Sequence, residues 1–281
     1  MQNNHPRVGF TVDYYKSLSH PVIIDALKLI GVRFVEINRS VFSEIDKLDS
    51  SLKNVTTAFH LPLVHDDGWD FSHPDHQQEI DETIHVINTQ RNKLHIHHAI
   101  AHPPEKADLH SHSKSSLDYL FRNLARLQIP VYLENVPDYT PSEYEEIFKT
   151  GKSVMGNKLR GMCWDASHFH ISGYDPIKQF EHFQSYIGTI HLSDCYPDDD
   201  VHLPFNSGGS LPIDDILKML SDFKFRGYIT LEIKPQSLQQ IDAYIASYLK
   251  ILRTLDHKKY LATKFRLLFL KPLINRFLGV K

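Results

Sequence analysis

The sequence predicts an α/β fold, a single (β/α)8 barrel with a basic, amphipathic extension at its C-terminal end. Short runs rich in β-branched and aromatic residues recur eight times, at 7–12, 33–37, 55–60, 94–102, 130–135, 159–165, 187–192 and 228–233. Between them the apolar residues switch to helical spacing. Eight such units in 281 residues average about 35 residues each, the repeat of a closed parallel barrel.

Taken in order, the first run leads into Val12-Asp13-Tyr14-Tyr15-Lys16, which contains no glycine. The Gly-rich turn that opens a doubly wound nucleotide-binding sheet is therefore missing, and the open-sheet alternative loses its main support. Pro21 suits a first helical turn, Ile23, Ala26, Leu27 and Ile30 share one helix face, and Gly31 suits its end. Leu117, Leu120, Phe121 and Leu124 mark the helix between the fourth and fifth runs. Thr140-Pro141-Ser142-Glu143 reads as a capping box with proline at the first helical position. Ile213, Ile216, Leu217 and Leu220 mark the helix before the eighth run. No low-complexity linker interrupts the chain before about residue 255, so residues 1–255 are expected to form one catalytic barrel and 256–281 an extension.

Composition narrows the functional classes. With 41% hydrophobic and 23% charged residues the chain is globular, neither disordered nor fibrous. A net charge of −3 gives no general attraction to phosphate backbones. Two cysteines, Cys163 and Cys195, lie in no CxxC pair, which argues for a reducing compartment. The opening MQNNHPRVGF has no signal-peptide pattern and no apolar run reaches the length of a membrane span, so a cytoplasmic location is expected. The 19 histidines are the unusual feature, since imidazole is a common metal ligand and general base.

Strand parity places many of them. Ile229 and Leu231 oppose Thr230 and Glu232, and Val131 and Leu133 oppose Tyr132 and Glu134, so apolar residues face the helices and polar ones the lumen. The same alternation turns Glu36, His60, Glu134, Asp165, His191 and Glu232 inward at the carboxyl ends of runs two, three, five, six, seven and eight, and His102 ends the fourth. Barrels of this kind do their chemistry at that end. Carboxylates and imidazoles converging there would repel or lie unsatisfied unless they share protons or bind a cation. A divalent metal resolves the conflict, and a donor set of oxygen and nitrogen suits zinc, manganese, cobalt or iron.

The segments VEIN (35–38), HLPL (60–63), AHPP (101–104), LENV (133–136), CWDASH (163–168), HLSD (191–194) and LEIK (231–234) resemble the xylose isomerase-like TIM barrels, which include sugar isomerases, sugar epimerases and endonuclease IV. The resemblance covers essentially residues 7–255. It implies a divalent ion, zinc or manganese, held by Glu134, Asp165, His191 and Glu232, the set of the single-metal isomerases and epimerases. It also implies a larger set, since the additional ligands of the three-zinc nucleases match His60, His102, His168, Asp200 and His202. One to three ions per chain are thus expected.

Loop residues favour an isomerase or epimerase acting on a small sugar-like substrate over a nuclease. Leu61-Pro62-Leu63-Val64 replaces the aromatic and Asn-bearing stretch of the nuclease, Asn135-Val136-Pro137-Asp138-Tyr139 replaces its Gly-rich loop, and Gly208 and Gly209 are displaced from their place after His202. On that reading Glu134 and Glu232 move protons on opposite substrate faces through an enediolate, and His168 binds a substrate oxygen. Glu36, Trp69 and Lys234 are the expected substrate contacts, with Phe71 beside Trp69. The alternative is an endonuclease IV-like phosphoesterase with a trinuclear zinc site acting on abasic DNA or another phosphodiester. Arg39 is its one obvious groove-facing cation. His65, Asp66 and Asp67 are expected to support the ligands, and His95, His97, His98, His110, His112 and Cys163 to be structural.

The extension is a separate question. Residues 256–281 hold seven Lys and Arg against Asp256, a net of +6, which leaves −9 on the rest. FRLLFLKPLINRFLGV (265–280) is apolar with interspersed cations. Burial within the molecule or in a homo-oligomer is favoured over membrane-surface contact, with Pro272 expected to interrupt any helix.

Overall fold

The computed structural model describes residues 4–13, 18–106, 114–233 and 240–278. Eight parallel strands close into a barrel: β1 (Arg7–Val12), β2 (Phe34–Ile37), β3 (Thr56–His60), β4 (Ile96–Ala101), β5 (Val131–Glu134), β6 (Leu159–Asp165), β7 (Ile187–Leu192) and a last strand, β10 (Tyr228–Leu231), that pairs with both β7 and β1. The expected single (β/α)8 barrel is the fold of this chain. A two-stranded antiparallel hairpin, β8 (Asp194–Tyr196) and β9 (Asp199–Leu203), rises from the loop after β7 and has no counterpart among the eight expected runs.

Helices wrap the barrel as the periodicity indicated. α1 (His20–Leu29) carries Pro21 in its first turn and is followed by Gly31 at φ +96°, a left-handed position that suits glycine. After α2 (Ile45–Ser51), α3 (Val64–Asp67), α4 (Gln77–Gln90) and α5 (Lys114–Leu124) comes α6 (Pro141–Met155), where the capping box forms. Thr140 Oγ1 accepts from the Glu143 amide at 3.3 Å, and the Glu143 carboxylate accepts from the Thr140 amide at 2.9 Å. α7 (Ala166–Ile171) and α8 (Pro176–Phe183) follow β6. α9 (Ile213–Asp222) buries Ile213, Ile216, Leu217 and Leu220, as spaced in the sequence, and α10 (Ile241–Leu255) closes the ring.

Outward-facing apolar residues of the strands join the helices in one large core, while the lumen holds a small one of Ile100, Tyr132 and Cys163. Tyr132 fills the lumen because glycine opposes it. A Cβ on Gly188 would lie 2.3 Å from the Tyr132 ring. Below it His98, Tyr228 and Phe34 form an aromatic floor, with His98 4.7 Å from Tyr228 and 5.0 Å from Tyr132 between ring centroids. β4 begins at Ile96, two residues later than the apolar run suggested, because His95 turns the chain at φ +52°. The final helix, α11 (His257–Leu278), packs on α10 and α1 and runs through Pro272, where an interruption was expected. Proline removes one backbone hydrogen bond, and the surrounding turns carry the helix across it. Among the described residues no helix is long and apolar enough to cross a membrane.

Candidate metal centre

Parallel strands bring their carboxyl ends to one rim, and eight of the nine expected metal-ligating residues lie within one residue of a strand's carboxyl end or in the β8–β9 hairpin. The ninth, His168, arrives by local chemistry. Asp165 caps α7, its Oδ1 accepting from the His168 amide at 2.9 Å, and this turn sets the imidazole beside the carboxylate three residues earlier.

Glu134 is the hub. Its Oε2 lies 3.0 Å from His191 Nδ1, 3.3 Å from His102 Nε2 and 3.8 Å from His60 Nε2, and its Oε1 lies 3.5 Å from His168 Nδ1. Glu232 Oε2 is also 3.0 Å from His191 Nδ1. Two sets made only of oxygen and nitrogen donors therefore have those atoms within 4.8 Å of one another and share Glu134: His60, His102 and Glu134, and Glu134, Asp165, His191 and Glu232. A third group joins the hairpin to α7, where Asp200 Oδ2 is 3.0 Å from His168 Nε2 and 3.5 Å from His202 Nε2. His202 takes φ +47°, a left-handed position for a residue other than glycine.

The donors suit a metal because their outer atoms are tied down and their inner atoms are not. His60 Nδ1 donates to the Leu61 carbonyl at 3.0 Å, His168 Nδ1 to the Asn135 carbonyl at 2.7 Å, and His191 Nε2 to Glu36 Oε2 at 3.0 Å. By contrast His60 Nε2, His102 Nε2, His191 Nδ1, Glu134 Oε2, Asp165 Oδ2 and Asp200 Oδ1 are buried without a hydrogen bond. Orphaned polar atoms of this kind are costly, and fixing one ring nitrogen while freeing the other is how proteins present imidazole to a metal. Cys163 Sγ also approaches Glu134 and His191, but burial holds its thiol well above the ordinary range, so it brings no thiolate.

Charge follows the same crowding. Burial opposes a proton on His60, yet the Glu134 carboxylate 3.8 Å away and the fields of Glu36 and Glu232 raise it to about 9. His168 and His191 are raised well above the ordinary value, again against burial, the first by Asp165, Asp200 and Glu134 and the second by Cys163, Glu134, Glu36 and Glu232. Burial works against ionisation of Glu134 and Glu232, but His191 outweighs it, joined by His102 for the first and His202 for the second, and lowers both. Asp165 is pushed up to about 6 by burial and by Asp200, Glu134 and Glu232. Without a metal, protons on imidazoles balance the carboxylates. A divalent cation held by these donors would replace them.

The expected substrate contacts fare differently. Glu36 is fully buried beneath His191, its Oε2 also accepting from Thr230 Oγ1 at 3.1 Å, so it sits where it can hold His191 in place. Trp69 is buried too, stacked on Phe71 and His76, with the Arg39 guanidinium over its ring at 5.3 Å. Arg39 is thereby taken up in a loop contact. Asp67 accepts from the Leu63 amide, while His65 and Asp66 are exposed. Lys234, His110 and His112 lie outside the described residues. Sequence reasoning missed Asn135, whose side chain clamps β5 to β6 by donating to the Asp165 carbonyl at 2.9 Å and accepting from the Asp165 amide at 2.8 Å.

With strands, rim and ligand geometry in place, the family profile of the xylose isomerase-like TIM barrel matches residues 24–255. The chain belongs to that family. Solved structures of the same fold include a D-tagatose 3-epimerase-like protein at 18% identity, covering 88% of this chain and 98% of the other with a TM-score of 0.63. A family 2 AP endonuclease from Brucella melitensis is 16% identical over 86% of this chain and 99% of its own, TM-score 0.63. The D-psicose 3-epimerase of Clostridium cellulolyticum H10, solved with D-tagatose, is 15% identical over 95% and 99%, TM-score 0.63. At such identities the likeness is one of fold. No curated protein matches the sequence.

Proposed function

We propose that the protein is a divalent-metal-dependent phosphoesterase with a multinuclear centre in the barrel mouth, taking a small phosphoester. The observation that carries this reading is the third set of donors, His168, Asp200 and His202, assembled beside the two that share Glu134. A single-metal sugar epimerase needs only Glu134, Asp165, His191 and Glu232, and leaves the buried inner nitrogens of His60 and His102 unexplained. Divalent ions held by these donors supply positive charge toward phosphoryl oxygens and acidify water.

The chain's own residues do the rest. Glu36 and Asn135 fix the imidazoles of His191 and His168, so the donors need no reorganisation when charge develops. Asp200, on the hairpin, brings a carboxylate from outside the barrel between two imidazoles. Glu232, more exposed than Glu134, stands where it can exchange a proton with a substrate in the mouth. The −9 carried by residues 1–255 argues for a small anionic substrate over long DNA.

A second reading, the sugar isomerase or epimerase, draws on the four-ligand set itself, in which Glu134 and Glu232 each come within 3.0 Å of His191 Nδ1. Two assays separate the readings. The metal-loaded protein is expected to hydrolyse bis-p-nitrophenyl phosphate, to lose that activity to a chelator and to regain it with zinc or manganese. Incorporation of solvent deuterium into ketohexoses without diester hydrolysis would replace the phosphoesterase by the isomerase.

A further inference from the structure

Among the described side chains, helix α11 brings none to the metal-ligand cluster, yet it bears the four most exposed large apolar ones. Leu261, Phe265, Leu268 and Phe269 are 54%, 63%, 74% and 66% exposed. The helix is anchored by its other side. Thr263 and Leu267 are buried, and the Arg266 guanidinium lies against Gly31. At 100° per residue, Leu261, Phe265 and Leu268 fall about opposite Thr263, so the outer face is the apolar one. Phe265 and Phe269 meet edge to face at 5.0 Å; the exposed Lys264 flanks the stripe, and the exposed Lys258 continues it toward the start of the helix.

The charge identifies what covers this face. From Asp256 to the last residue there are seven cations and one acid. A second copy of α11 laid along the first would bring two strongly positive helices together, whereas an anionic bilayer offers an apolar boundary and negative headgroups at once. We propose that the outer face of α11 docks on an anionic membrane surface, with Phe265, Leu268 and Phe269 at the acyl boundary and Lys258 and Lys264 among the headgroup phosphates. The helix starts at the amino ends of the strands, where Asp256 and Lys259 line a cavity of about 340 Å³ with Arg7, Arg33 and Thr56. That is the end opposite the metal-ligand cluster, so docking leaves the mouth open to solvent. The proposal holds whichever chemistry the mouth performs.

The test is co-sedimentation of the full chain with phosphatidylcholine vesicles, with and without about 30% phosphatidylserine. The expected result is pelleting with the anionic vesicles alone, weakened by salt. Phe265→Glu with Phe269→Glu is expected to lower vesicle affinity at least about tenfold, and Lys264→Glu to lower it about fivefold, with circular dichroism unchanged. Equal pelleting with both vesicles, or with neither, overturns the proposal. So does a dimer in light scattering that Phe265→Glu dissociates, since a second copy then covers the face.

Discussion

Replacing Glu36 with Gln tests whether the residue beneath His191 tunes the centre. In the wild type Glu36 Oε2 accepts from His191 Nε2 at 3.0 Å and from Thr230 Oγ1 at 3.1 Å, with all three residues fully buried. Gln keeps the shape and one oxygen acceptor but removes the charge, and a charge-assisted hydrogen bond is roughly twice as strong as a neutral one. Loss of such an outer partner costs about 10–100-fold in metal affinity, or about 1.4–2.7 kcal/mol. Thr230→Val removes only one hydrogen bond to the same oxygen and should cost less than about tenfold. Competition titration of the chelated protein against a chromophoric chelator at constant pH measures both. Wild-type affinity in Glu36→Gln would refute the orienting role, and complete loss of one ion would make Glu36 a ligand.

Two further outcomes follow from the geometry. The chelated protein should be most stable near about pH 4.5, because the folded-state pKa values of about 6 for Asp165 and about 9 for His60 both give stability that is complete below the unfolded values and lost as pH rises through them, on the order of 3 kcal/mol each. The lowered Glu134 and Glu232 lose theirs as pH falls through the carboxylate range. Metal-loaded protein should show the opposite trend above pH 6.5, since ligation needs neutral imidazole. Melting curves with chelator and with zinc check both, and a chelated protein that gains stability toward pH 9 contradicts the charge assignment. Asn135→Ala removes two hydrogen bonds between the ends of β5 and β6 and should cost about 2–3 kcal/mol in denaturant unfolding while lowering metal affinity. A change in stability alone would limit Asn135 to the scaffold.

Much of this was legible because a barrel strand has a period of two. Parity alone carried Glu134, Asp165, His191 and Glu232 to one rim, and the capping box and the apolar face of α9 needed only local spacing. Depth was not legible. Alternation says that Glu36 points inward but not that His191 covers it, so an expected substrate contact turned out to lie a layer below. The hairpin was missed because β8 and β9 have three and five residues, too short for a periodic signal. Its geometry matters, since it swings Asp200 and His202 over His168. The glycines that seemed displaced have a local reason, for a Cβ on Gly209 would lie 2.1 Å from Asp194 Oδ1, the oxygen that accepts from the Cys195 and Leu211 amides. Trp69 shows the limit of residue type as a guide. An indole after β3 suits a sugar face, but Phe71, His76 and Arg39 already cover it.

The central claim is that one mouth holds three sets of donors. Metal content per chain, measured by mass spectrometry on gently purified protein and on His60→Ala and Asp200→Ala, tests it most directly. The account expects about three divalent ions in the wild type and about one fewer in each variant. A single ion that neither substitution displaces would contradict the multinuclear centre and return the protein to single-metal isomerase chemistry.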